Sequence, residues 1–190
     1  MKLVILDRDG VINEDSPDYI KSPQEWRAIP GSLDAIARLH QAGYYVFVAS
    51  NQSGIGRGLF DYDALFAIHD RMQTALAELG ARIDAIEFAP DHPDHATALR
   101  KPAPGMLLDI AARLQTSLEG VPVVGDSAGD IAAARTAGAR PILVLTGNGQ
   151  RTRARPEMAG VETFDDLASF VNELLDHESR RAGRPAPLGA

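Results

Sequence analysis

Five short β-rich runs, most of them continuously apolar, recur along the chain at residues 2–6, 44–49, 84–88, 122–125 and 141–145. Apolarity without alternation marks strands covered on both faces, the condition of a parallel sheet flanked by helices. The intervening segments carry stripes at helical spacing: Leu33, Ile36 and Leu39 in residues 32–42, then Leu65, Ile68, Met72, Leu76 and Leu79 in residues 61–79. Further helices are predicted over residues 105–115, 127–137 and 165–177, the last with Leu167, Phe170, Val171 and Leu174 on one face. Gly43, Gly80 and Gly138 follow helical segments as left-handed stops. This alternation predicts an α/β fold around a central, mostly parallel sheet.

A chain of 190 residues, 45% apolar, fills one core and is short for two, so residues 1–178 are expected to form a single domain. Residues 179–190 lack hydrophobic periodicity and are rich in Arg, Pro and Gly, which predicts a disordered tail. No run approaches the roughly 18 apolar residues of a membrane span, and the start "MKLVILDRDG" reaches charge too early for a secretory signal. A cytoplasmic monomer without a membrane partner is the resulting expectation. The net charge of −7 argues against nucleic acid as a partner, while leaving room for a small anionic substrate met by a few local cations. The absence of cysteine excludes disulfides, thiolate metal sites and a cysteine nucleophile.

Polar residues stand at the C-terminal ends of these strands: Asp7 and Asp9 after the first, Ser50 and Asn51 after the second, Asp126 after the fourth. In open parallel sheets that edge is where ligands bind. A single aspartate there is often only a turn or cap residue. Several along one edge point to a shared site.

Four stretches, "LDRDGVIN", "VASNQSGIGRG", "RKPAPGM" and "VVGDSAGDIAAA", stand in that order within residues 6–134. Together they resemble the four ordered motifs of the haloacid dehalogenase-type phosphatases. More narrowly, they are similar to the heptose 1,7-bisphosphate phosphatases and their histidinol-phosphate phosphatase relatives. The resemblance implies a three-layer Rossmann-like haloacid dehalogenase fold. No large cap domain is expected, because only short segments separate the motifs, notably residues 14–30, the loop 52–58 and the loop from residue 89.

The resemblance also implies roles. Asp7 is the expected nucleophile, forming an aspartyl-phosphate, and Asp9 the expected acid and base for the leaving alkoxide and the attacking water. Gly10 gives the turn its freedom. Magnesium is the expected cofactor, held by the Asp7 carboxylate, the Asp9 carbonyl and the Asp126 carboxylate, with Asp130 in support through water or else only capping the helix of residues 127–137. Ser50 is expected to donate to the phosphate, Asn51 to orient the substrate, and Lys101 to offset phosphoryl charge and hold Asp7. Arg57, in a glycine-rich loop able to fold over a ligand, and Arg100 are expected to meet a second phosphate or sugar hydroxyls.

Many such phosphatases carry a structural zinc in the loop before R-K-P, on a Cys-x-His and a Cys-x-Cys pair. Here Ala89 and Asp91 fall at the first pair and Thr97 and Leu99 at the second, with only His92 and His95 as nearby imidazoles. Zinc is therefore not expected, and prolines, short length and packing are expected to hold the loop.

The implied function is magnesium-dependent hydrolysis of the 7-phosphate of a heptose 1,7-bisphosphate, a small phosphorylated sugar on the way to lipopolysaccharide. A phosphatase for histidinol phosphate or another small metabolite is the near alternative. A polynucleotide 3'-phosphatase shares some motifs but not the acidic charge, and a silent phosphosugar-binding protein would not need both Asp7 and Asp9.

Overall fold

A computed structural model describes residues 1–182. In chain order the elements are β1 (Leu3–Leu6), α1 (Ser32–Gln41), β2 (Tyr45–Asn51), α2 (Ser53–Gly56), α3 (Tyr62–Ala77), β3 (Ala85–Ala89), α4 (Gly105–Leu114), β4 (Pro122–Gly125), α5 (Ala128–Thr136), β5 (Arg140–Val144), α6 (Gly149–Arg153), β6 (Glu162–Phe164) and α7 (Leu167–Ala182). The strands form one sheet in the order β3-β2-β1-β4-β5-β6, with every pair parallel.

Period-two geometry divides β1 between two cores. Val4 and Leu6 pack with Ile36 and Leu39 of α1, Ile68 and Met72 of α3, and Phe170 and Val171 of α7. Leu3 and Ile5 face the other side, with Met106, Leu107 and Ile110 of α4 and Ala133 and Ala134 of α5. All four β1 residues are buried, which is why the run is apolar without alternation. Each such side chain contributes about 1.5–3 kcal/mol of burial. The three-layer α/β arrangement expected from the sequence is the observed one.

Five of the six strands fall on predicted runs. The sixth, Glu162–Phe164, pairs only with β5 and carries half-exposed residues, so it has no apolar signature. Helix α7 continues through Ala182, beyond the predicted end at residue 177 and into the stretch expected as a tail. The remainder of that expected tail, residues 183–190, lies outside the described residues. Among the described residues no helix is long and apolar enough to cross a membrane.

β1 lies between β2 and β4, and successive strands progress outward from it in opposite directions. Parallel sheets open a crevice at the carboxyl edge of such a switch point.

Candidate active site

The turn Asp7-Arg8-Asp9-Gly10 leaves β1 at this crevice. The Asp7 N–H still donates to the Val124 carbonyl at 2.8 Å, after which the Arg8 carbonyl accepts from the N–H groups of Ile12 at 2.8 Å and Asn13 at 3.2 Å. Gly10 takes φ 80°, and a Cβ there would lie 2.2 Å from Asp126 Oδ2. Glycine is thus required both by the turn and by the approach of a functional carboxylate.

Asp7 sits among charges of both signs. Its Oδ1 accepts from the Arg8 N–H at 2.7 Å and pairs with Lys101 Nζ at 3.1 Å. The same ammonium meets Asp130 Oδ1 at 2.5 Å and donates to the Ala49 carbonyl at 2.7 Å. Burial alone would lower the Lys101 pKa, but Asp130 and Asp7 outweigh it and hold the group above the usual lysine range. Asp126, at the end of β4, accepts at Oδ2 from the Asn148 backbone N–H at 2.6 Å and its side-chain amide at 3.2 Å.

Ligand oxygens of Asp7, Asp126 and Asp130 lie within 4.8 Å of one another. Burial pushes Asp7 well above the usual carboxylate range; Lys101 opposes that, while Asp130, Asp126 and Asp9 add to it. Asp126 is raised to about 6 by burial and then by Asp130, against its hydrogen bonds from Asn148. Asp130 is committed to the fold: Oδ2 accepts from the N–H of Ser127 at 2.9 Å and from its hydroxyl at 2.6 Å, completing a capping box on α5. Asp7 Oδ2 and Asp126 Oδ1 have no hydrogen bond from the described residues. Excess carboxylate charge and free oxygen ligands fit a hard divalent cation such as magnesium.

Asp9 lies in the opposite environment. Oδ1 accepts from Arg8 Nε at 3.1 Å, Arg8 Nη2 at 3.0 Å and Asn13 Nδ2 at 2.9 Å. Oδ2 accepts from Arg8 Nη2 and Gln52 Nε2, both at 2.9 Å. Burial would raise this carboxyl, yet the Arg8 guanidinium and the bonds from Asn13 and Gln52 hold it below the usual range. Gln52 Nε2 also donates to Ser50 Oγ at 2.9 Å, which leaves the Ser50 hydroxyl proton for another acceptor.

The structure brings Asp7, Asp9, Ser50, Asn51, Arg100, Lys101, Asp126 and Asp130 to one cleft of about 370 Å³. Asn51 stands differently from its expected use: its Oδ1 accepts from the Lys101 N–H at 3.0 Å and its Nδ2 donates to the Lys101 carbonyl at 2.9 Å. Its amide therefore fixes the lysine backbone as a neighbouring strand would. Arg57 is exposed and does not line the cleft. The glycine-rich loop folds into α2, where a Cβ at Gly56 would lie 2.5 Å from the His92 nitrogen. That glycine serves chain packing.

Sequence reasoning missed Gln52, Tyr19 and Asn148, all lining the cleft. Asn148 follows β5, so extending the strand-end rule to that strand would have found it. Gln52 directly follows Asn51 at the end of β2, so carrying the same rule one residue further would have found it; Tyr19 carries no comparable signal.

The loop before Arg100 has its own fastening. Asp91 Oδ2 accepts from the Thr97 N–H at 2.9 Å and the Thr97 hydroxyl at 2.6 Å. One position from each of the two places where such phosphatases carry zinc ligands is thereby bonded to the other. Arg100 Nη1 donates to the Asp91 carbonyl at 3.4 Å. Beyond the prolines and packing expected from the sequence, this side-chain clasp ties the loop to a residue of the cleft.

A carboxylate pair at a parallel-sheet switch point, with a buried lysine and a third carboxylate opposite, defines a haloacid dehalogenase-type phosphatase. The HAD-hydrolase-like family model matches residues 98–170. The D-glycero-beta-D-manno-heptose-1,7-bisphosphate 7-phosphatase of Bordetella bronchiseptica is 55% identical over 178 residues, covering 92% of this chain and 98% of that protein. The protein of the same name from Pseudomonas putida is 51% identical over 175 residues, covering 92% and 100%. Among solved structures, a D,D-heptose 1,7-bisphosphate phosphatase from B. bronchiseptica, complexed with magnesium and phosphate, has a TM-score of 0.90 at 54% identity and covers 93% of this chain and 99% of that one. The chain belongs to the heptose 1,7-bisphosphate 7-phosphatase family of HAD-type phosphoric monoester hydrolases.

Proposed function

We propose that this chain hydrolyses the 7-phosphate of D-glycero-β-D-manno-heptose 1,7-bisphosphate through an aspartyl-phosphate on Asp7. The observation that carries the mechanism is the placement of Asp7 against Lys101, with Asp9 in the same cleft and held separately. Near-full-length identity to the Bordetella and Pseudomonas enzymes supports the substrate.

Asp7 attacks phosphorus as the bond to the C7 oxygen breaks; Asp9, charged at rest, takes up a proton as the anionic phosphate enters the cleft and passes it to the departing alkoxide. Water then attacks phosphorus, Asp9 takes its proton, and the bond to Asp7 breaks to release phosphate. Lys101 and Ser50 hold the phosphoryl oxygens where negative charge gathers. Asp7, Asp126 and the Asp9 carbonyl would hold magnesium, whose charge offsets the repulsion between carboxylate and phosphate. Arg100, which lines the cleft, meets the second phosphate.

The test is magnesium-dependent phosphate release, compared as kcat/KM for both heptose anomers, histidinol phosphate and fructose 1,6-bisphosphate. A preference of at least about a hundredfold for the β anomer, or roughly 2.7 kcal/mol, is expected. Equal values across the panel would overturn the substrate assignment and leave the hydrolase.

A further inference from the structure

Arg8 separates the two carboxylates in sequence and is completely buried, with a relative exposure of 0%. Its guanidinium grips both oxygens of Asp9, donates through Nη2 to Gln52 Oε1 at 3.2 Å, and reaches His69 Nε2 through Nη1 at 3.4 Å. Arginine can only donate, so His69 Nε2 is the acceptor, which requires the neutral ring. Burial and the Arg8 charge keep it neutral by lowering its pKa to about 4. His69 comes from α3, and its ring meets Phe88 of β3 edge-on, centroids 6.2 Å apart. Neither Arg8 nor His69 lines the cleft.

We propose that His69, acting through Arg8, is a positioning residue for Asp9, fixing the carboxyl group at the angle from which it serves the leaving-group oxygen. The fork of Arg8 is planar, so whatever fixes its rotation also fixes the plane of the carboxylate bonded to it. Gln52 holds one side of that fork and His69 the other. Removing the imidazole frees the guanidinium to tilt and to carry Asp9 with it. This rests on the reading of Asp9 as the acid that protonates the leaving group.

The experiment compares kcat/KM on two substrates that differ in their need for that proton. The heptose 7-phosphate ester expels an alkoxide, which must be protonated, whereas p-nitrophenyl phosphate expels a stable phenolate. Because kcat/KM covers events only through the first irreversible transfer, the later base role of Asp9 does not enter. His69→Ala is expected to lose at least about tenfold on the heptose bisphosphate and much less on p-nitrophenyl phosphate, a displacement-sized effect. His69→Gln, which restores an acceptor, should recover most of the loss. Arg8→Lys keeps the buried charge without the fork and should show the same selectivity; it is read in place of His69→Ala should that variant not fold.

Asp9→Asn separates the two levels of the argument. If Asp9→Asn falls equally on both substrates, the acid role of Asp9 is wrong. If Asp9→Asn is selective while the His69 and Arg8 variants lose equally on both substrates, or lose nothing, the positioning role is wrong and the acid role stands.

Discussion

Asp7 and Asp9 leave the same strand on the same turn, yet Asp7 shares one ammonium with Asp130 and lies beside Asp126 as well, whereas each oxygen of Asp9 is met by at least two donors. The first environment is short of positive charge until a cation and a phosphoryl group arrive. The second is complete within the protein. One side of the cleft is thus set by what it will bind and the other by what already surrounds it, and the contrast predicts opposite responses to ligand, proton and mutation.

Asp7→Asn breaks the contrast most sharply. A neutral amide cannot form the acyl phosphate, so kcat should fall by at least ~10⁴-fold, while the metal-free melting temperature rises because one of three crowded carboxylates is gone. Rapid-quench assays for phosphoenzyme, with calorimetry alongside, check both signs. Lys101→Ala should do the reverse to stability, leaving Asp7 and Asp130 uncompensated at a cost of about 3–5 kcal/mol in urea unfolding.

Proton linkage sharpens the comparison further. Without metal, folded Asp126 keeps its proton to about 6, while the unfolded chain releases it near 3.8. The folded state therefore binds more protons between those values, and stability should fall as pH rises through that window, by up to ~3 kcal/mol. Asp9, held low, has the opposite sign: its contribution is present above its unfolded value and is lost as pH falls through its folded one. Urea titrations from pH 4 to 7 should show the decline without magnesium and lose it at saturating magnesium.

Magnesium at a hundred times its Kd should itself add about 2.7 kcal/mol. In Asp126→Asn most of the resulting melting shift should vanish. The smallest effect belongs to the saturated side: Asn13→Ala, which removes one donor from Asp9, should cost about 1 kcal/mol and leave the magnesium-induced shift unchanged.

The parts visible in the sequence were those with a local signature. β1, β2 and β4 declared themselves by unbroken apolar runs, and Asp7, Asp9 and Asp126 by standing where those runs stop. β6 is three residues long and pairs on one side only, so nothing in its composition distinguishes it from a loop. The fate of Arg8 was illegible for another reason. Its burial depends on Gln52 and His69, 44 and 61 residues away, and no local pattern announces a partner at that distance. Asn51 was placed correctly at the edge, but its amide faces a backbone made 50 residues later.

β1 also sets a clock. Its neighbours are β2 and β4, and the Asp7 N–H bonds to the carbonyl of Val124. On the ribosome the turn that carries the chemistry is therefore made early, and the strand and carboxylate opposite it more than a hundred residues later. At about 5–20 residues per second that is an interval of roughly 6–24 s. Throughout it Leu3–Leu6 has no partner on its β4 side, and the nascent chain exposes a sticky strand before it possesses a working cleft.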